Sequence, residues 1–312
     1  MQPIVTLTLN SSVDVQWEVP ELVPTRKLRA SHGLTFPGGG GINVSRVIKT
    51  LGGQSIAVFT AGSFTGHMLR EMVDDAGLVT RVVHIAGETR AASTIFDQST
   101  GQEYRVTPPG PTLSPREWQA CFDALFDIAT DYIVATGSLP AGVPDDFYAR
   151  VARKARQLGR RVVLDTSGPA LAAALEEGVF LVKPNRGELR WLLGSGMLGP
   201  EDEEAMPQQL IRDGKAEVVA LTLGADGAIL ATRDGVQRLR GPDVAVKSAV
   251  GAGDSFVAGL TYGLARGLAM AEAFALGVAT GTATVQTPGT ELCRRPDIER
   301  HFATLAGKPL GA

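Results

Sequence analysis

One feature restricts the fold more than any other: from residue 114 onward, helical and extended periods alternate with short, even spacing. Helix 114–129 leads to strand 131–136, helix 145–158 to strand 161–165, and helix 168–177 to strand 179–183. A helix at 186–193 follows, then helix 202–213, strand 217–223 and a hairpin partner at 228–232. The strands are near-continuous apolar runs, the mark of strands buried on both faces. Strands alternating with helices build a mostly parallel sheet with helices on both sides. The first third fits the same scheme. Strand 4–9, helix 42–51, strand 56–61, helix 65–76 and strand 79–85 follow in turn. The expected fold is therefore α/β, a mostly parallel central sheet with helices on both faces. A length of 312 residues, with no flexible linker, suits a single elaborated domain.

Two stretches break the alternation, about 12–36 and about 88–108. Val13, Val15, Trp17 and Val19 share one face of a strand, and Asp14, Gln16 and Glu18 the other. Lys27–Phe36 reads as a return strand. Ala92–Phe96 and Glu103–Thr107 flank a glycine turn as a hairpin. Together these predict a small antiparallel β lid beside the main sheet. Its apolar face needs cover, and a second copy of the lid would supply it, so a homodimer is expected.

Apolar residues make up 44% of the chain and charged residues 20%, with a net charge of −3 and no block of lysine or arginine. Neither nucleic acid nor a membrane surface is an expected partner. The start, Met-Gln-Pro-Ile-Val-Thr-Leu, lacks a basic n-region, and no apolar run reaches membrane-spanning length. Two cysteines, Cys121 and Cys293, lie far apart and suggest no disulfide framework. A cytoplasmic protein is expected. The four histidines show no ligand spacing.

Chemistry concentrates late in the chain, at Val250-Gly251-Ala252-Gly253-Asp254-Ser255-Phe256. A glycine turn opens an amphipathic helix, whose first N–H groups lack internal partners and attract an anion. Asp254 sits at the rim of that anion hole. A carboxylate beside bare N–H groups suits phosphoryl transfer, in which an acceptor hydroxyl loses a proton while the moving group is stabilised. By itself the stretch also fits a turn with an N-cap. Gly-Lys at 214–215 and 307–308 is not followed by Ser or Thr, so there is no Walker A loop. The glycine run 38–41 fails as a dinucleotide fingerprint, because Asn43 stands where a third glycine belongs.

Other stretches fall at strand ends, where ligands of parallel sheets bind. In Lys183-Pro184-Asn185-Arg186-Gly187-Glu188, Asn185 and Glu188 share a first helical turn and fit either a hydrated Mg2+ or a capping pair. Thr222-Leu223-Gly224-Ala225-Asp226-Gly227 fits either a nucleotide-phosphate loop or a hairpin turn. Thr136-Gly137-Ser138 brings Ser138 to the same edge.

Taken jointly, Thr6–Leu9 with Asp14, Gly38-Gly39-Gly40-Gly41-Ile42-Asn43-Val44, Gly137-Ser138-Leu139-Pro140, Lys183-Pro184-Asn185 with Glu188, and Val250–Ser255 are highly specific. Through them the chain resembles the ribokinase-like (PfkB) sugar kinase family over essentially its whole length. The resemblance implies a three-layer ribokinase-like fold and ATP-dependent phosphorylation with Mg2+. It implies Asp254 as catalytic base, with Gly251, Ala252 and Gly253 as the anion hole. It implies that Asp14, Gly38, Gly39, Gly40, Gly41, Asn43 and Ser138 bind the sugar, and that Lys183, Asn185, Thr222, Gly224, Ala225 and Gly227 bind ATP. A monovalent-cation loop, for K+, is implied near Ser248, Val250 and Gly289. Lys27, Arg29 and Arg90 fall in the lid, and such cations suit a substrate that already carries phosphate. Members acting on fructose 1-phosphate usually carry Lys in the glycine run, where this chain has Gly40. That favours a 6-phosphofructokinase activity. Asn10-Ser11-Ser12 is less typical of such enzymes and leaves fructose 1-phosphate and tagatose 6-phosphate open. A free-sugar or nucleoside kinase has no need of the lid cations, and a non-catalytic sugar-binding protein has none of Asp254.

Overall fold

The computed structural model describes residues 2–194, 199 and 201–311. Its strands are β1 (Ile4–Thr8), β2 (Ser12–Val19), β3 (His32–Gly38), β4 (Ser55–Ala61), β5 (Val79–His84), β6 (Arg90–Asp97), β7 (Gln102–Val106), β8 (Tyr132–Thr136), β9 (Arg161–Asp165), β10 (Val179–Val182), β11 (Ala216–Thr222), β12 (Ala228–Thr232) and β13 (Gly235–Leu239). Its helices are α1 (Gly40–Thr50), α2 (Ser63–Asp75), α3 (Pro115–Phe126), α4 (Phe147–Gln157), α5 (Gly168–Glu177), α6 (Arg186–Leu193), α7 (Asp202–Arg212), α8 (Ala252–Ala265), α9 (Met270–Thr284) and α10 (Arg295–Ala306).

Nine strands form one sheet in the order β13-β12-β11-β10-β9-β8-β1-β4-β5. All pairs are parallel except β11–β12 and β12–β13 at one edge. Successive residues of a strand point to opposite faces, and the two cores separate accordingly. Val5, Leu7, Ile133, Ala135, Val162 and Leu164 pack with residues of α3, α4, α5 and α7. Ile4, Tyr132, Val134 and Val163 pack with α1, α8, α9 and α10. The expected three layers follow from strands that are apolar on both sides. Helix α9 is not announced by a helical period beyond Gly267. Residues 273–280 of α9 are buried all round, so no polar face is left to produce one.

The second sheet has the order β3-β2-β6-β7. Here the lid departs from expectation: β3–β2 and β6–β7 are antiparallel, but the central pair β2–β6 is parallel. The reason is topological, since β2 and β6 belong to different excursions from the main sheet and both leave it in the same direction. The return strand is also shorter than Lys27–Phe36, beginning only at His32. Val13 is buried at the lid's root against Ile42, Phe59 and Leu69. Further out the simple inside–outside alternation fails. Gln16 is buried at 6% exposure, whereas Trp17 keeps 43%.

Candidate active site

Strand β1 lies between β8 and β4, so the chain winds outward in both directions from this point. Ligands of open parallel sheets bind beyond the carboxyl ends of the strands at such a switch. A cavity of about 270 Å³ lies there. Gly137 and Ser138 reach it from the end of β8, and Asp165, Thr166 and Ser167 from the end of β9. Gly39, Gly40 and Asn43 reach it from the start of α1, Glu188 from α6, and Asp254 from α8. The lid contributes Ser12, Asp14, Arg90 and Arg105. Asp14 and Asp254, 240 residues apart in the chain, thus face one space.

Asp254 stands in the first turn of α8, whose N-cap is Gly251 at φ 77°. That left-handed conformation is the one L-residues other than glycine avoid, so the turn before the helix needs glycine. On the opposite wall, a side chain at Gly40 would meet Thr136 Oγ1 at 2.5 Å and Asp254 Oδ1 at 3.1 Å. Glycine there lets the start of α1 approach the start of α8. Two helix N-termini therefore converge, each with unpaired N–H groups. Asn43 Nδ2 donates to Asp254 Oδ2 at 2.9 Å.

Asp254 keeps some exposure at the cavity floor but is enclosed by protein. Burial, followed by the nearby Asp165 carboxylate, pushes its pKa up to about 6. The Asn43 hydrogen bond, Lys183 and Arg105 oppose that rise without cancelling it. A helix N-terminus by itself would have weakened the carboxylate as a base. The net result is instead a group poised near neutral pH, suited to general-base chemistry.

Lys183 ends β10 and is 5% exposed. Burial would depress its pKa, but Asp165 at 3.0 Å, with Glu188 and Asp254 further off, outweighs burial and the net direction is up. The ammonium stays charged beneath Gly253, where an added Cβ would stand 3.7 Å from Nζ. Asn185 and Glu188 form a reciprocal capping box. Glu188 N–H donates to Asn185 Oδ1 at 2.9 Å and Asn185 N–H to Glu188 Oε2 at 2.8 Å. Burial raises the Glu188 pKa first of all, against the Asn185 backbone bond and Lys183.

The lid cations divide. Arg90 lines the cavity, held by the carbonyl of Asn10 at 2.9 Å and that of Pro108 at 3.2 Å, while its buried Nε has no partner. Burial lowers its pKa, with Asp14 opposing and Arg105 adding to the fall. Lys27 and Arg29 lie in the exposed segment between β2 and β3 and do not line this cavity. Arg105, on β7, takes a place that sequence reasoning missed. Asp165, Ser12, Thr166 and Ser167 were also missed. Asp165 carries a readable signal, the last residue of an apolar strand at the ligand edge. Ser138 is present as expected, its Oγ accepting from Asn10 Nδ2 at 3.0 Å. Gly38 and Gly41 pack beneath α1, where side chains would strike Asp14 Oδ1 and the carbonyl of Leu7.

The Thr222–Gly227 stretch closes β11 with one 3₁₀ turn, Gly224–Asp226, outside the cavity lining and on the same side of the sheet as Lys183. Arg186 clamps it, donating to the Leu223 carbonyl at 2.8 Å and pairing with Asp226 at 2.9 Å. Near the expected cation loop, Ser248 Oγ lies 3.0 Å from Glu103 Oε2 of the lid and accepts from Val250 N–H at 3.2 Å. Gln16 Oε1 is buried without a partner where a side chain at Gly289 would stand.

A parallel sheet with a lid, and a cavity that joins a near-neutral carboxylate, two helix N-termini and lid arginines, define a phosphotransferase acting on a hydroxyl group. The chain belongs to the pfkB family of carbohydrate kinases, whose model matches residues 7–297. It is 43% identical over 308 residues to the ATP-dependent 6-phosphofructokinase isozyme 2 of Mycobacterium tuberculosis, covering 98% of this chain and 90% of that one. It is 36% identical to the enzyme of the same name from Escherichia coli, over 98% of this chain and 100% of that one. The crystal structure of Escherichia coli phosphofructokinase-2 in complex with potassium superposes with a TM-score of 0.94 at 35% identity, covering 98% of this chain and 100% of that one. That enzyme has also been solved with fructose-6-phosphate and in a tetrameric inhibited form. No helix among the described residues is long and apolar enough to cross a membrane.

Proposed function

We propose that this chain is an ATP-dependent 6-phosphofructokinase, converting fructose 6-phosphate and ATP to fructose 1,6-bisphosphate and ADP. The observation that carries this reading is the shared cavity of Asp14 and Asp254 with Arg90 in its lid wall. Asp14 and Asn43 accept and donate to sugar hydroxyls. Arg90, with its free buried Nε, and Arg105 hold the phosphate that the substrate already bears. The free sugar hydroxyl then faces Asp254, which takes its proton as the oxygen attacks the γ-phosphorus. The bond from that phosphorus to the β,γ-bridging oxygen breaks and ADP leaves. The N–H groups of Gly251 and Gly253 at the start of α8 stabilise charge on the moving group, whereas that of Ala252 donates to the Ala249 carbonyl at 3.3 Å. Lys183 and the Thr222–Gly227 turn, with Gly224, Ala225 and Gly227, hold the nucleotide.

Mg2+ fits the residues present in a particular way. Among the described residues no cluster of His, Cys, Asp or Glu is dense enough to hold a metal alone. The Asn185 side-chain oxygen is engaged in its cap, whereas Glu188 has a second carboxylate oxygen on the cavity. Mg2+ bound together with ATP would be held on the protein side by Glu188 and would supply charge neutralisation. K+ would be held by carbonyls around Ser248, Val250 and Gly289. Lys27 and Arg29, exposed between β2 and β3 and outside the cavity, take no phosphate contact in this reading. A homodimer through the lid follows from Trp17, Tyr104 and Val106, which keep 43%, 40% and 59% exposure on one lid face.

The test is ADP release with fructose 6-phosphate, fructose 1-phosphate, tagatose 6-phosphate, ribose and adenosine as acceptors. The expected result is the highest kcat/KM with fructose 6-phosphate. A preference for fructose 1-phosphate would move the assignment within the phosphosugar branch, and a preference for ribose or adenosine would remove the lid arginines from substrate recognition.

A further inference from the structure

Arg46 has no place in the chemistry above, yet it lies directly behind it. It sits one turn after Asn43 on α1 and is half-buried. Among the described residues no carboxylate stands within ion-pair distance of it. Its Nη1 donates instead to Asn43 Oδ1 at 3.2 Å and to the carbonyl of Thr290 at 3.1 Å. The guanidinium also lies 5.9 Å from the ring centroid of Phe36, which pairs with Asp14 in the lid. Three elements meet on one cation: α1, the lid and the loop after α9. Burial lowers its pKa to about 10, still well charged at neutral pH.

The bond to Asn43 has a logical consequence. A carboxamide has one accepting and one donating end. Arginine can only donate, so it fixes the oxygen end of Asn43 towards itself. The NH2 end must then point the other way, and there it meets Asp254 Oδ2 at 2.9 Å. Without Arg46 the amide is held by the carboxylate alone, and its oxygen end has lost its charged donor.

We propose that Arg46 is a positioning residue that sets the orientation of the Asn43 amide, and through it the orientation of the Asp254 carboxylate. This rests on the reading of Asp254 as the general base. Arg46 touches neither reactant, so its effect falls on turnover, while ATP binding, which uses β10, β11 and the turn after it, is left alone.

The structure also supplies a means of rescue. Arg46 lines a second cavity of about 350 Å³ together with Lys49, Thr50, Ala76, Glu291 and Leu292. Truncation to Arg46→Ala would extend that space up to Asn43, with room for a free guanidinium ion.

The experiment measures kcat and both KM values for Arg46→Gln, Arg46→Lys, Arg46→Ala, Asn43→Ala and the double variant Asn43→Ala with Arg46→Gln. Asp254→Asn serves as a reference. Losing a charge-assisted hydrogen bond predicts a kcat lower by about tenfold or more for Arg46→Gln, with KM for ATP unchanged. In the Asn43→Ala background the same change should cost less than threefold, because the amide it orients is gone. Millimolar guanidinium should restore part of the kcat of Arg46→Ala and none of that of Asp254→Asn. Equal costs of Arg46→Gln in both backgrounds would overturn the proposal, since a merely structural role is additive. If Arg46→Gln fails to fold, Arg46→Lys decides, because it keeps the charge but not the fork; wild-type kcat there would also overturn it. Should Asp254→Asn be dead and Arg46 variants normal, this inference fails alone. Should Asp254→Asn be active, the reading of the base fails first.

Discussion

The two sheets of this molecule obey different rules. In the inner strands of the nine-stranded sheet most residues are buried, on both faces, between two helical layers, and the edge strands β5 and β13 are the open ones. In the four-stranded lid one face turns polar groups to the cavity, Asp14, Arg90 and Arg105 among them, and the other leaves Trp17, Tyr104 and Val106 in solvent. The first sheet is a rigid frame whose strand ends fix Lys183, Asp165 and, through α8, Asp254. The second has few apolar contacts to hold it and is anchored at its root by Val13. Chemistry that needs positioning within fractions of an ångström sits on the frame. In the proposed reading, recognition of the substrate's phosphate falls to the lid, through Arg90 and Arg105.

If that division is right, the largest effect belongs to the frame. Asp254→Asn should lower kcat by roughly 10²–10⁴ with modest change in ATP binding. The same variant should melt at a higher temperature. A carboxyl whose folded-state pKa is raised costs stability where it is ionised, above about pH 6, and an amide removes that cost. Activity above a tenth of wild type, or a lower melting temperature, would break the assignment.

The pH profile comes next. The base must be ionised, so kcat/KM should fall about tenfold per unit as pH drops below the Asp254 value of about 6, and be flat above it until another group titrates. An acid limb near pH 4 would mean that burial and Asp165 do not control this carboxylate in the free enzyme.

The lid follows with a smaller, selective effect. Arg90→Ala should raise KM for fructose 6-phosphate about tenfold or more, and KM for ATP far less. Equal effects on the two would erase the contrast between sheets. Lys27→Ala sharpens it. A large effect on the sugar-phosphate KM would show that the exposed segment folds onto the cavity in solution.

Trp17→Asp should have the smallest effect on the chemistry but the clearest on assembly. A charge on the exposed lid face should shift the protein from dimer to monomer in sedimentation at micromolar concentration, with the melting of the main sheet little changed. A wild-type protein that is already monomeric would remove the lid interface altogether.

Much of the frame was legible because burial on both faces writes itself as continuous apolar runs of strand length, as in Val162–Leu164 and Val218–Leu221. Helix α9 was not, for the same reason in reverse: a helix buried all round has no polar stripe to give it a period. In the lid the alternation of Val13, Val15, Trp17 and Val19 correctly gave the faces. It could not say that Gln16 would be buried and Trp17 left out, because that depends on what packs above each. The same holds for the cations. Arg90 enters the cavity because two carbonyls pin it, whereas Lys27 and Arg29 fall in a segment with no strand to aim them.

Local chemistry is what the sequence settled by itself: a glycine-led helix start with an aspartate in its first turn, and strands fated for the interior. These depend on neighbours a few residues away. Only the tertiary structure decided how basic Asp254 would be. The helix dipole that the sequence announces pulls its pKa down, while burial and Asp165, 89 positions earlier, push it up to about 6. Electrostatic free energy depends on distance in space and on exclusion of water, and neither is written in the order of residues.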